Sequence, residues 1–145
     1  MSIVFSCHDG NHYHPWSDDA TFVGPPPEDL FSTSLSKNYL QVRLTATDSL
    51  GLSTTVIRRL EPKTVDVGFK TQPPNLKLGV NGYTFQAPKL LTSWEGYALN
   101  VATWRQSDVQ GQLWAFDHWS DGGAREHTIK TPASPKTYTA YFRRL

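Results

Sequence analysis

Apolar and polar residues alternate with a period of two through much of this chain, and turn residues interrupt the alternation at short intervals. The run YLQVRLTAT at 39–47 alternates in this way, and LSTTVIRRL at 52–60 forms the expected returning strand. Between them, 48–51 supplies Asp and Gly, which favour a tight turn. Asn-Gly at 81–82 predicts a second hairpin, because a type I′ turn needs positive φ at both positions. No stretch shows sustained helical periodicity, so the pattern predicts strands.

Glu61-Pro62-Lys63 is the expected boundary, because a new alternating series with Val65, Val67 and Phe69 on one face begins just after it. About seven short strands separated by turns predict an antiparallel, immunoglobulin-like β-sandwich for 63–145. Residues 1–61 supply only about four strands, which is marginal for an independent domain, and we interpret them as a truncated β-unit. The fold class is therefore all-β. Later strands are expected at 76–80, 97–103, 112–119, 125–131 and 137–142.

The charge and composition exclude several functional classes. The formal net charge is +1, and the largest basic groups are the pairs Arg58-Arg59 and Arg143-Arg144, so nucleic acid is not an expected partner. No run approaches the roughly 20 apolar residues of a membrane span. Cys7 is the single cysteine, so no internal disulfide forms. The start of the chain does not read as a signal peptide, so either the protein stays inside or it is a piece of a longer exported chain.

No group of residues predicts catalysis. Cys7 and His8 are adjacent, and neighbours in an extended strand point to opposite faces, so His8 is badly placed to activate the thiol. The carboxylate pairs 18–19 and 28–29 lie in polar or Pro-rich segments that should face solvent. We therefore expect a protein that is not an enzyme and that requires no cofactor.

Two segments resemble known domains of secreted bacterial proteins. Residues 39–57, with the run T-D-S-L-G-L-S, resemble the end of a polycystic-kidney-disease-type (PKD) domain, which is an immunoglobulin-like sandwich. Residues 5–15, FSCHDGNHYHP, resemble a His-rich stretch of PKD-like domains that accompany quinoprotein-type sugar dehydrogenase-like domains. Cys7 stands where that stretch usually has its first His. The matching positions are His8, His12, His14 and Pro15.

Residues 114–142 resemble a small β-domain that follows the PKD unit in the same proteins. The shared signature is F-x-x-W-S-D-G-G, then H-T-I, then T-Y-T-A. Earlier PKD strands and the quinoprotein propeller have no counterpart here, so no dehydrogenase chemistry is implied. The resemblance implies an extracellular, non-catalytic accessory module of an exported carbohydrate-active protein. Its expected partners are a polysaccharide, a parent catalytic domain, or a second copy that pairs through exposed strand edges of 1–61.

The His-rich segment is a candidate metal site. His8, His12 and His14 are close in sequence, and i, i+2 residues of an extended segment share one side. Imidazole nitrogen and the Cys7 thiolate suit zinc or copper, with carboxylates such as Asp9 to complete the ligand shell, whereas calcium would instead recruit Asp9 together with 18–19. The alternative interpretation is a loop whose rings bond to backbone groups and fill one end of the sandwich.

Five tryptophans are candidates either for sugar binding or for the core. Trp119 is expected in the core, and Trp114, which alternates with Phe116, is expected on one face of a strand. Trp94 and Trp104 lie beside polar or turn-like stretches, where exposed aromatic rings offer a platform for a sugar. The alternative is that these two cap the ends of the core or the domain junction. The other candidate carbohydrate-binding residues are Arg105, Gln106 and Asp108, as polar partners, and Tyr13 and Trp16, beside the His-rich segment.

Overall fold

The computed structural model describes residues 2–8, 13–17 and 39–145, with only the backbone described for 2–8, 13–17 and Leu40. All the regular elements among these residues are strands, as the alternation predicted, and the fold is all-β. The described residues contain no helix that is long and apolar enough to span a bilayer. The chain divides into two compact units, Met1–Lys63 and Thr64–Leu145.

Unit 1 contains one antiparallel sheet in the order β2-β1-β3-β4. The predicted hairpin forms with the expected turn: the Asp48 carboxylate accepts hydrogen bonds from the backbone N–H groups of Leu50 and Leu52, and Gly51 has φ +85°. Strand β4 is exposed along its whole length. The strands are β1 Ser2–His8, β2 Tyr13–Ser17, β3 Tyr39–Thr47 and β4 Ser53–Leu60.

Unit 2 is a sandwich of two sheets, with orders β10-β11-β13-β5-β8 and β12-β9-β6-β7. The strand pairs are antiparallel except for β5 with β13, the first and last strands of the unit, which run parallel. The strands are β5 Thr64–Gln72, β6 Lys77–Val80, β7 Tyr83–Gln86, β8 Lys89–Trp94, β9 Ala98–Ala102, β10 Gln106–Ser107, β11 Leu113–Trp119, β12 Glu126–Lys130 and β13 Lys136–Arg144.

The inner faces of the two sheets form the core of unit 2. On the five-stranded sheet, the predicted apolar faces of β5 and β13 are buried, and Phe69 stacks on Tyr138. Phe69 also contacts Phe85 of the opposite sheet, with ring centroids 6.0 Å apart. Where inner faces interdigitate like this, the outer faces of the two sheets point in opposite directions. The buried apolar residues of the other sheet include Leu78, Val80, Leu99, Val101 and Ile129.

The Asn81-Gly82 turn has the predicted geometry, with φ +47° and +81°. It also has a role that the pattern did not predict, because Asn81 Oδ1 accepts a 2.6 Å hydrogen bond from the Asn100 N–H on β9. The turn is thereby fastened to the neighbouring strand.

Strands β8 and β10 were not predicted from the sequence. In β8, Leu90 is largely exposed and Pro88 precedes the strand, so no regular alternation marks it. Strand β10 is only two residues long and exists through its pairing with Trp114 and Leu113. Both strands depend on distant partners rather than on a local pattern.

Candidate functional site

Trp94 does not belong to an exposed sugar platform. It ends β8 and is 2% exposed, so its indole has no free face for a sugar ring. The prediction of an exposed Trp94 is therefore wrong, and its burial agrees with the alternative in which the ring is used for packing. The predicted turn after Trp94 does form, with a hydrogen bond from the Tyr97 N–H to the Trp94 carbonyl. The Trp94 ring itself is buried.

The side-chain amide of Gln106 forms hydrogen bonds within the protein and is not available to a ligand. Its Oε1 accepts a 2.7 Å hydrogen bond from the Lys77 N–H, and its Nε2 donates to the Lys77 carbonyl at 2.9 Å. The side chain thus pairs with the edge of β6 as a further backbone unit would. Both ends of the amide are engaged, which argues against its predicted role as a sugar partner.

Asp108 likewise organises the turn before β11. One carboxylate oxygen accepts from the Gln110 and Gln112 N–H groups, and the other accepts from Trp114 Nε1 at 2.9 Å. The Trp114 hydrogen bond is the largest cause that lowers the pKa of Asp108; desolvation opposes it, and the two backbone hydrogen bonds add to the lowering. Three residues, Gln110, Gln112 and Trp114, therefore donate hydrogen bonds to this carboxylate, which supports a structural role rather than the predicted role in ligand binding.

Trp104 retains the geometry of a binding residue. It follows β9 and is half-buried, and its Cζ3 lies 3.5 Å from where a Cβ on Gly79 would stand. Gly79 pairs with Ala102 and is on the outer face of the four-stranded sheet, because its neighbour Val80 faces the core. The indole therefore lies over strand positions with little or no side chain. Arg105, next in the chain, is exposed.

We call this surface the Trp104 face, defined by Gly79, Ala102, Trp104, Thr84 and Glu126. Thr84 lies opposite Gly79, and Glu126 lies opposite Ala102, so both flank the small residues on the same outer face. A hydroxyl and a carboxylate beside a partly exposed indole are the polar and apolar groups that a sugar ring requires.

The candidate metal site lies in the first two strands and in the segments around them, where the structure describes no side chains. Asp9 and His12 lie outside the described residues, and so do Asp18 and Asp19. His8 and His14 belong to β1 and β2, where the backbone register places His8 opposite Tyr13 and Cys7 opposite His14. Tyr13 and Trp16 are on β2 with their side chains undescribed. Within the described part of the chain, no group of three or more His, Cys, Asp or Glu residues is placed to hold a metal ion.

The W-S-D-G-G and H-T-I segments of the sequence meet in a partly buried group of contacts, which we call the clasp. His127 Nδ1 bonds to the Ala124 carbonyl at 2.8 Å, and its Nε2 bonds to Asp121 Oδ2 at 3.0 Å. The His127 ring packs edge-on against Trp119, which is in the core as predicted. A Cβ on Gly123 would collide with the His127 ring. The clasp, defined by these five residues, joins β11 to β12 and so has a structural role.

The Asp121 carboxylate of the clasp is held in its charged form. Burial raises the pKa of this group, but hydrogen bonds from His127 and from the Gly123 N–H, together with the charge of His127, outweigh burial and leave the pKa below its usual range. Both side chains are only 17% exposed.

One aromatic pair was missed in the sequence. His118 and Tyr141 stack with ring centroids 4.4 Å apart and an interplanar angle of 7°. Strict alternation from Trp114 and Phe116 predicts His118 on the inner face, where it could not meet a ligand. The sequence gives one indication of an outward-facing His118, which is the position of Trp119. Trp119 can face the core together with Phe116 only if β11 contains an extra residue between them.

No family model, curated protein or solved structure matches the chain. The PKD-like and W-S-D-G-G-type resemblances therefore stay predictions, and function has to be argued from the described residues.

Proposed function

We propose that this chain is a non-catalytic accessory module of an exported carbohydrate-active protein and that it binds polysaccharide weakly through the Trp104 face. The observation that supports this function best is the position of Trp104, half-buried over the outer surface of a sheet rather than inside the core. A protein that needed this indole only for packing would gain more by burying it, as it does with Trp94 and Trp119.

The chemistry of the face fits a neutral sugar chain. Sugar rings present C–H groups that pack on an aromatic ring, while their hydroxyls need hydrogen-bond partners. Thr84 and Glu126 lie in register on the same face, and the exposed Arg105 guanidinium is adjacent in the chain. Because the surface is open and small, the affinity should be in the weak range, where millimolar dissociation constants correspond to about 4 kcal/mol.

The test is an NMR titration that follows the tryptophan indole N–H signals as soluble polysaccharides are added. The Trp104 signal, assigned by its loss in Trp104→Ala, should shift, and the variant should bind roughly tenfold more weakly, as expected for the loss of one aromatic partner. Tyr83→Ala is the matched control, because Tyr83 is an exposed aromatic on the edge strand of the same sheet but outside the face. Unchanged binding by Trp104→Ala would refute the proposal.

A second candidate function is assembly through unit 1. Strand β4 is at the edge of its sheet within the described residues, and Val56, Ile57 and Leu60 are all exposed along it. A long exposed edge strand with apolar side chains favours pairing with another strand, and a second copy of β4 is the occupant proposed here. Analytical ultracentrifugation should then show a dimer that Ile57→Lys weakens. A monomer at every concentration would eliminate this function.

The third candidate, a metal-binding protein that uses His8, Asp9, His12 and His14, stays a hypothesis about residues whose side chains are undescribed. It predicts that a chelator lowers the melting temperature and that added zinc, copper or calcium restores it. A melting curve unaffected by chelator would remove it.

A further inference from the structure

A β-bulge in β11 turns His118 out of the core. Phe116 pairs with Phe142, and the next pairs are His118 with Tyr141 and Trp119 with Ala140, so Asp117 is an extra residue in β11. In a regular strand residues two apart share a face, so without the bulge His118 would be on the inner face with Phe116. Bulges of this kind re-aim a side chain and occur often beside functional sites. The strand therefore uses one inserted residue to bury Trp119 and to expose His118.

The exposed His118 is oriented by both of its neighbours. Its ring stacks on Tyr141 across the strand pair, and its Nδ1 lies 2.8 Å from Asp117 Oδ2. Because a carboxylate only accepts hydrogen bonds, Nδ1 is the donor. Within the described part of the chain, no hydrogen bond is formed by Nε2, which is therefore available to a ligand. The imidazole is held in one orientation, although it is 57% exposed.

Polar groups extend the surface along the neighbouring strands. Gln72 of β5 lies in register with Tyr141, and Lys70 lies in register with Thr139, which shares the outer face with Tyr141. Both Gln72 and Lys70 are exposed. We call this surface the His118–Tyr141 face, defined by His118, Tyr141, Asp117, Gln72 and Lys70. It combines aromatic rings with an amide, a carboxylate and an ammonium group.

The His118–Tyr141 face and the Trp104 face lie on opposite sides of unit 2. His118 and Tyr141 belong to the outer surface of the five-stranded sheet, whereas Gly79 and Ala102 belong to the outer surface of the four-stranded sheet. Phe69 and Phe85 meet between the sheets, and two packed sheets are about 10 Å apart. A short oligosaccharide on one side therefore cannot occupy the other, and the two surfaces act independently.

We infer that unit 2 is bivalent: the His118–Tyr141 face is a second carbohydrate-binding site, so that one molecule can hold two sugar chains on opposite sides. This inference rests on the proposed function and extends it, since a bivalent module cross-links polysaccharide while a univalent one only attaches to it. Linking two weak sites also strengthens attachment to a polymer without any new contact.

The experiment titrates the full chain, labelled with ¹⁵N, with cellohexaose, xylohexaose and chitohexaose in turn. Backbone and side-chain shifts report on each face separately. Tyr141→Leu removes the ring but keeps an apolar side chain, and Trp104→Ala removes the other site. Leu90→Ala is the matched control, because Leu90 is on the same outer face as Tyr141 and is exposed, yet it lies apart from the ring pair.

The expected result is two groups of shifting signals. Tyr141→Leu should weaken binding at its own face roughly tenfold, with the dissociation constant at the Trp104 face unchanged, and Trp104→Ala should do the reverse. Either variant should abolish the increase in viscosity that the protein causes in a soluble polysaccharide. A purely structural ring pair would lower only the melting temperature of Tyr141→Leu.

The outcomes separate the two ideas. Shifts confined to the Trp104 face overturn bivalency but leave the proposed function standing. Shifts confined to the His118–Tyr141 face overturn the proposed role of Trp104, and bivalency with it. If no oligosaccharide moves either group of signals, both are refuted. Loss of both groups in Trp104→Ala would show one continuous site and would also overturn bivalency.

Discussion

Gly123→Ala should destabilise unit 2 by about 3 kcal/mol. The new Cβ would stand within 2.5 Å of ring carbons Cδ2 and Cε1 of His127, far inside van der Waals contact. The ring cannot simply move aside, because its two nitrogens are bonded to the Ala124 carbonyl and the Asp121 carboxylate. Overpacking costs about 1–3 kcal/mol, and losing a hydrogen bond to a charged group costs about 1.5–3 kcal/mol. The two costs do not add fully, because a ring that shifts and loses its hydrogen bond also relieves part of the overpacking, so the total is about 3 kcal/mol.

Urea unfolding followed by tryptophan fluorescence measures this loss, since the tryptophans at 94, 104, 114 and 119 all belong to unit 2. In a domain of this size, the corresponding fall in melting temperature is roughly 12–24 °C. The control is the same substitution in a His127→Ala background, where the collision is absent. There, Gly123→Ala should cost less than about 0.5 kcal/mol. An equal cost in both backgrounds would refute the argument that the ring is what excludes a side chain at Gly123.

Two further predictions concern polar groups of unit 2. The pKa of Asp121 is lowered in the folded state, so the stabilisation that its charged form gives to the fold is fully present above the unfolded-state pKa, near 3.8, and is lost as the pH falls through the lower folded-state pKa. Asp121→Asn should remove this acid-dependent part of the unfolding free energy. An unchanged dependence of stability on acid pH would contradict the assignment. Ser93 and Thr131 share a buried 2.7 Å hydrogen bond, so Ser93→Ala should cost about 1–3 kcal/mol by leaving Thr131 unpaired. The double variant with Thr131→Val should recover part of that loss in thermal melts, whereas simple additivity would show that the two hydroxyls do not act as a pair.

Local sequence patterns predicted the elements whose structure depends on neighbouring residues. The hairpins at 48–51 and 81–82 follow from the backbone preferences of Asp, Asn and Gly, and these turns formed with the expected positive φ values. The buried faces of β5 and β13 follow from period-two alternation, which commits one side of a strand to the core wherever that strand pairs. These signals are contained within a few residues, so the sequence alone was sufficient to assign an all-β fold.

The candidate sites depended on contacts between distant residues. Trp94 and Trp104 have similar polar neighbours in the sequence, yet Trp94 is buried and Trp104 lies half-buried over Gly79. The position of His118 depends on a one-residue bulge, and the register of β11 against β13 is what places that bulge at Asp117. Exposure and register are properties of how strands meet, and no local pattern specifies them. The sequence by itself therefore determined that this chain folds as turn-separated strands, and only the tertiary structure decided which aromatic rings face solvent.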